Sequence, residues 1–303
     1  MDKNLIQRAI SGAVYGLVVF LCTTHFGSVY LKDFLNIDVK QEYLYLSLIL
    51  FFVVVGAWEA IRIMKFGEGW WKWIVFPVGF IVFYRFGIRF LNHDFYFIFN
   101  IQELLGIALV FIASFTLFKY PNELYYDNGK LIFIVIYVFL SFSFALGLPM
   151  FNYSEKHFGW ETFVLFTLIW SSDGFAYFAG RMFGKHKMAP KISPKKTWEG
   201  FAGGVICTLI LGFFIEQNMP ELRGNWILVG LLVSIFAPLG DLVESQLKRT
   251  FGVKDSGNII PGHGGMLDKL DSFILCAPVI YLYFKWAMAS YWLRKHPLRL
   301  VTF

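Results

Sequence analysis

Apolar runs of about 18 to 22 residues recur from one end of the chain to the other, separated by short polar segments. Each run is long enough to cross roughly 30 Å of hydrocarbon as a helix. Nine candidate spans emerge, at roughly 9–27, 43–61, 73–91, 97–118, 131–150, 160–180, 200–217, 225–246 and 272–292. The pattern predicts an all-α, polytopic integral membrane protein. Lys3 and Arg8 precede the first run as they would in a secretory signal, but no small-residue cleavage site precedes His25, so the run reads as a retained span.

Composition closes off the soluble alternative. With 57% hydrophobic and 16% charged residues, a water-soluble fold would lack the polar surface to cover itself, and the spans leave no room for a separate soluble domain. Cys22, Cys207 and Cys276 fall in three different apolar runs, which implies neither a disulfide framework nor a zinc site. Nothing points to a nucleic-acid partner. The charge distribution bears on orientation: with the N-terminus inside, segments 1–8, 62–72, 119–130, 181–199 and 247–271 hold 17 of the 27 Lys and Arg residues. Arg294, Lys295 and Arg299 would then lie outside, against the trend. Trp70, Trp71 and Trp73 read as an interfacial belt, and Glu59, beside Trp58 and Arg62, as an interfacial ion pair.

The first five spans carry few internal charges, whereas the last four carry Asp173, Arg181, Asp241, Glu244, Asp268 and Asp271 at or near their inner ends. The chain therefore divides loosely into 1–150, N-terminal transmembrane helices serving as lipid-facing scaffold and possible dimer contact, and 151–303, a C-terminal catalytic region. Ionisable groups in a span are costly unless they face a polar cavity or a partner, so they mark a site by default. If the eighth helix continues past its apolar run, Asp241, Glu244, Ser245 and Lys248 share one face. A salt-bridged helix end is the alternative.

A second pair, Asp268 and Asp271, opens the ninth span behind Pro261-Gly262-His263-Gly264-Gly265. The glycines let backbone N–H groups turn toward an anion, and carboxylates beside a phosphate cradle suggest a bridging Mg²⁺. Alternatively Asp268 answers only the helix dipole and the glycines only the turn. The third cluster, 181–200, holds six basic residues and one acid. Anchoring to anionic headgroups would also explain it, but Ser193-Pro-Lys-Lys-Thr197 ends at a helix start and Asp173 lies about two turns before Arg181.

The stretch Ser245-Gln-Leu-Lys-Arg-Thr-Phe-Gly-Val-Lys-Asp-Ser-Gly-Asn-Ile-Ile-Pro-Gly-His-Gly-Gly-Met-Leu-Asp-Lys-Leu-Asp271 closely resembles the signature of the phosphatidate cytidylyltransferases, or CDP-diacylglycerol synthases. Asp173-Gly-Phe-Ala-Tyr-Phe-Ala-Gly-Arg-Met-Phe-Gly-Lys185 and Ser193-Pro-Lys-Lys-Thr-Trp-Glu-Gly-Phe-Ala-Gly-Gly204 are similar to that family's other blocks. The resemblance implies transfer of cytidylyl from CTP to phosphatidic acid, Mg²⁺ with K⁺ held by Asp241 and Asp268, and a homodimer among membrane lipids. In place of the family's usual Asp-Arg-x-Asp stands Asp268-Lys-Leu-Asp271; Lys269 keeps the charge but lacks the bidentate fork.

On this reading Asp271, Glu244 and Asp173 shape the metal's surroundings or place a basic residue. Lys195, Lys196, Lys248, Arg249 and Lys254 neutralise phosphate charge, and Ser193, Thr197, His263, Gly264 and Gly265 contact substrate. The expected location is a bacterial cytoplasmic membrane, the site facing the cytoplasm. Two rivals remain: the same transfer to another lipid phosphate, such as an isoprenoid-ether lipid, and an ion-coupled transporter, whose carboxylates would lie near the midplane.

Overall fold

The computed structural model describes residues 3–91, 100–152, 158–262 and 264–295. Helix α1 (Lys3–Thr23) leads into the short α2 (Phe26–Leu35), followed by α3 (Gln41–Met64), α4 (Val75–Leu91) and α5 (Ile101–Lys119). The fifth span changes pitch as it crosses: α6 (Asp127–Ile134) runs through a π-helical turn at Val135–Leu140 into α7 (Ser141–Ala145). Then come α8 (Trp160–Phe183), a hairpin of β1 (Lys187–Ala189) and β2 (Ser193–Thr197), α9 (Trp198–Asn218), α10 (Trp226–Thr250) and α11 (Leu267–Lys295).

Among the described residues nine helices are long and apolar enough to cross a membrane, one for each predicted span, and the chain is an integral membrane protein. The fifth span is 83% buried within the protein and the first only 11%, so the former is the central column and the latter faces the surroundings. Hydropathy alone does not set that order, since the first and last spans share a mean hydropathy of 1.5 while 11% of the one and 67% of the other is buried. The hairpin replaces what reads in sequence as a charged loop. Lys187 pairs with Thr197 and Ala189 with Ser193, and the turn closes where Ile192 N donates to Ala189 O at 3.2 Å.

Helices α8 to α11 approach through small residues, the usual way membrane helices gain packing contact. A Cβ placed on Gly203 would lie 2.3 Å from Ala179 Cβ, one on Gly230 2.4 Å from Thr208 O, and one on Gly240 2.5 Å from Asp271 O. Gly240 thus lets α10 touch the α11 backbone beside Asp241 and Asp271. Gly240→Ala is expected to cost about 1–3 kcal/mol by overpacking, read as a lowered thermal unfolding midpoint in detergent; an unchanged midpoint would show that the two helices can part freely. Near the break at Pro238, which has no N–H for the helix ladder, the Ala237 and Pro238 carbonyls accept from Ser272 Oγ and Lys196 Nζ, each at 3.0 Å.

The five segments that the charge pattern puts on one side meet at one end of the bundle. Gly67 N donates to Asp127, and Lys130 Nζ to Lys65 O at 3.0 Å. Tyr125 donates to Thr250 O and Arg249 to Ile192 O, each at 3.3 Å, while Gly262 lies against Arg8.

Candidate active site

A cavity of about 760 Å³ lies under the hairpin, at that same end of the bundle. Asp173 of α8, Ser193, Lys195, Lys196 and Thr197 of β2, Asp241 of α10, and Asp268, Lys269 and Asp271 of α11 all line it. Residues nearly a hundred positions apart converge because α8, α9 and α10 pack side by side and α11 packs on α10. Arg181, which the sequence places among the inner-end charges, and Lys187, which registers there only as part of a charge run, line it too. Ile169, Trp170, Tyr177 and Phe201 form an apolar wall.

The hairpin is held from both sides. Thr197 caps α9 by accepting from Gly200 N at 3.1 Å, and Glu199, in the helix's first turn, accepts from Lys185 N at 3.1 Å and His186 N at 3.2 Å. His186 Nδ1 lies 2.6 Å from the same carboxylate. Lys196, aimed inward by this frame, reaches Asp241 Oδ2 at 2.8 Å as well as the Pro238 carbonyl. Asp241 Oδ1 accepts from Ser245 Oγ at 3.0 Å, one turn along α10.

Helix α10 does continue, to Thr250, and brings Glu244, Ser245 and Lys248 onto the face of Asp241. Lys248 is buried between two acids: it pairs with Glu244 on its own helix and with Asp268 Oδ1 at 2.6 Å across to α11. The salt-bridged helix end and the inter-helix constellation are therefore both present in one side chain. Asp173, Asp241 and Asp271 are near enough for their charges to act on one another. Ser272 N donates to Asp271 Oδ1 at 2.6 Å.

The loop before α11 differs from its sequence reading. Gly264 and Gly265, expected to turn N–H groups to a substrate phosphate, direct them to the protein itself. Gly264 N donates to Ile260 O at 3.2 Å, and Gly265 N to Asp268 Oδ2 at 2.9 Å. The anion in this nest is Asp268, whose Oδ2 also accepts from Ser256 N and Ser256 Oγ at 2.9 Å each. Gly262 and Gly264 have φ of 76° and 96°, which only glycine adopts without strain. His263 lies outside the described residues.

Glu59 is the second correction. Instead of an interfacial ion pair it is wholly buried, accepting from Ser256 Oγ at 3.0 Å, Met266 N at 3.0 Å and Leu267 N at 2.7 Å. Arg62 instead lies over the Trp58 ring, 4.7 Å from its centroid. No signal in the sequence pairs Glu59 with partners some two hundred positions away. Arg249 brackets the hairpin through Ile192 O and its own Val253 O, and Lys254 is exposed; neither lines the cavity.

Among the described residues no three His, Cys, Asp or Glu side chains close around one point. The donor set suits a hard cation that takes one or two protein carboxylates and completes its shell from substrate phosphate. Asp241 and Asp268 line the same cavity, and each already faces an ammonium, Lys196 and Lys248, where positive charge is stabilised.

Residues 7–287 match the model of the cytidylyltransferase family. The chain is 43% identical to the phosphatidate cytidylyltransferase of Staphylococcus aureus (strain COL) over 182 residues, 57% of this chain and 66% of that protein. It is 42% identical to that of Staphylococcus haemolyticus over 189 residues, covering 60% and 68%. For that of Bacillus subtilis (strain 168) the figures are 38% over 193 residues, covering 62% and 69%. The chain thus spans just under two thirds of the length of the Staphylococcus aureus relatives it matches. With the family match extending over nearly the whole chain, from α1 to α11, this protein belongs to the cytidylyltransferase family.

Proposed function

We propose that the chain transfers the cytidylyl group of CTP to phosphatidic acid, releasing pyrophosphate and leaving CDP-diacylglycerol in the bilayer. The observation that carries this reading is the cavity lined by Asp173, Asp241, Asp268 and Asp271 together with Lys195, Lys196 and Lys269 and with apolar side chains. A lining of both signs suits a polyphosphate with its counter-cation, and Ile169, Trp170, Tyr177 and Phe201 suit a substrate with a lipid body. The relatives named as phosphatidate cytidylyltransferases support the same reading. A carrier's carboxylates would be expected at mid-membrane, whereas these gather with the charged loops.

In this reaction an oxygen of the phosphatidate phosphate forms a bond to the α-phosphorus of CTP as the bond to pyrophosphate breaks. The attacking oxygen is already anionic, so positioning and charge neutralisation matter more than a strong base. Asp241 and Asp268 would hold Mg²⁺, with K⁺ nearby, which when bound offsets the charge of the triphosphate. Lys195, Lys196 and Lys269, all lining the cavity, would neutralise phosphate charge, Ser193 and Thr197 offer hydroxyls, and Asp271 and Asp173 lie among them on the same lining. Lys248 and Arg249 act from behind, one locking Asp268 and the other the hairpin. The protein works as a homodimer in a bacterial cytoplasmic membrane, its cavity toward the cytoplasm, where CTP is made.

The test is direct. Purified protein given labelled CTP and phosphatidic acid in mixed micelles is expected to form lipid-linked CMP and release pyrophosphate, and chelation of divalent cations is expected to stop both. Transfer of equal rate to an isoprenoid-ether phosphate would widen the lipid class; no transfer to either would remove the reading.

A further inference from the structure

We propose that Glu59 is a positioning residue of the site, a carboxylate delivered by α3 that sets the place of Ser256 and of the first turn of α11, and through them of Asp268. It comes from the half of the chain that composition marks as scaffold. Three donors converge on it from the other half: Ser256 Oγ, Met266 N and Leu267 N. The two amides belong to the start of α11, where N–H groups have no partner within the helix and a negative charge is favoured. Glu59 thus serves as a helix cap supplied from a distant helix.

Two glycines exist in the form the loop needs because of this carboxylate. A Cβ on Gly257 would lie 2.4 Å from Glu59 Oε1, and one on Gly265 2.6 Å from the same atom. The link to Asp268 is a single hydroxyl. Ser256 Oγ lies 3.0 Å from Glu59 Oε2 and 2.9 Å from Asp268 Oδ2, and it accepts from Asp268 N at 3.2 Å. One proton faces two carboxylates, so whichever takes it changes how the other is held. This arrangement is more than packing: it makes the orientation of Asp268 depend on a residue of the third helix.

The inference rests on the reading of the cavity as the site of cytidylyl transfer, and its test has an arm that does not. Glu59→Gln removes one acceptor oxygen at nearly constant volume, and Ser256→Ala removes the relay while leaving the bonds to Met266 and Leu267. Each is expected to lower kcat/KM for CTP about tenfold or more, mainly through kcat. The double variant is expected to be no worse than the poorer single, since both break one connection. Amide exchange is expected to quicken at Met266 and Leu267 in Glu59→Gln and to stay slow there in Ser256→Ala. Wild-type exchange in Glu59→Gln would overturn the proposal, as would wild-type kinetics in Ser256→Ala or losses that multiply in the double variant. If Glu59→Gln cannot be purified folded, the Ser256→Ala kinetics decide alone. A wild-type protein with no transferase activity would sink the functional reading, and the exchange measurement would still decide the place of Glu59.

Discussion

Asp241→Asn is expected to reduce formation of CDP-diacylglycerol by about 10²- to 10³-fold or more, the scale found when one preorganised electrostatic group is removed from a reacting centre. The fold should survive. Asp241 is part-exposed, its side chain 31% accessible, and its partner Lys196 retains the Pro238 carbonyl when the charge is lost. An ion pair so placed contributes only about 0–1 kcal/mol to stability. Asn also keeps an oxygen for Ser245 to donate to. The expected signature is thus a collapse of the initial rate with labelled CTP and an unfolding midpoint within a few degrees of wild type. Undiminished turnover would remove Asp241 from the site, while a rate loss matched by unfolding would show only a structural role.

The largest stability effect is expected at Lys248. Its ammonium lies between Glu244, which is completely buried, and Asp268, whose side chain is 13% accessible. In Lys248→Met two carboxylates would face each other across α10 and α11 with the neutralising charge gone. Removing one partner of a buried ionic cluster costs about 3–5 kcal/mol, which for a chain of this size corresponds to a midpoint lowered by on the order of 10 °C. Activity should fall with it, because Asp268 loses the partner of its Oδ1. Adding Glu244→Gln removes one stranded charge and is expected to restore part of the midpoint, with little recovery of rate. Differential scanning of the detergent-solubilised variants decides this. A Lys248→Met midpoint equal to wild type would mean that the acids are neutralised in some other way.

Several features of the site were legible in one dimension. Asp241, Glu244, Ser245 and Lys248 share a face because helical spacing demands it once α10 runs on to Thr250. Asp268 and Asp271 come together at the start of α11 for the same reason. Arg249 and Lys254 illustrate the limit: a positive charge near a motif does not say which way the side chain points, and both lie away from the cavity. The hairpin was hidden as well, since Lys187–Ala189 and Ser193–Thr197 have no alternating apolar face and are held by Glu199 and Thr197 at the start of α9.

Taken alone, the order of residues determined that this is a polytopic membrane protein, with nine helices among the described residues long and apolar enough to cross, and which acids could stand together on one helix. These follow from local rules, the length of an apolar run and the period of a helix, which need no knowledge of neighbours. Only the tertiary structure decided what each carboxylate holds: Asp241 a lysine from the hairpin, Asp268 its own glycine loop, and Glu59 the first turn of a helix two hundred residues on. Such pairings depend on which helices lie side by side and at what depth. That is settled by the close approach of glycines such as Gly230 and Gly240 along the whole bundle, and no short window of sequence contains it.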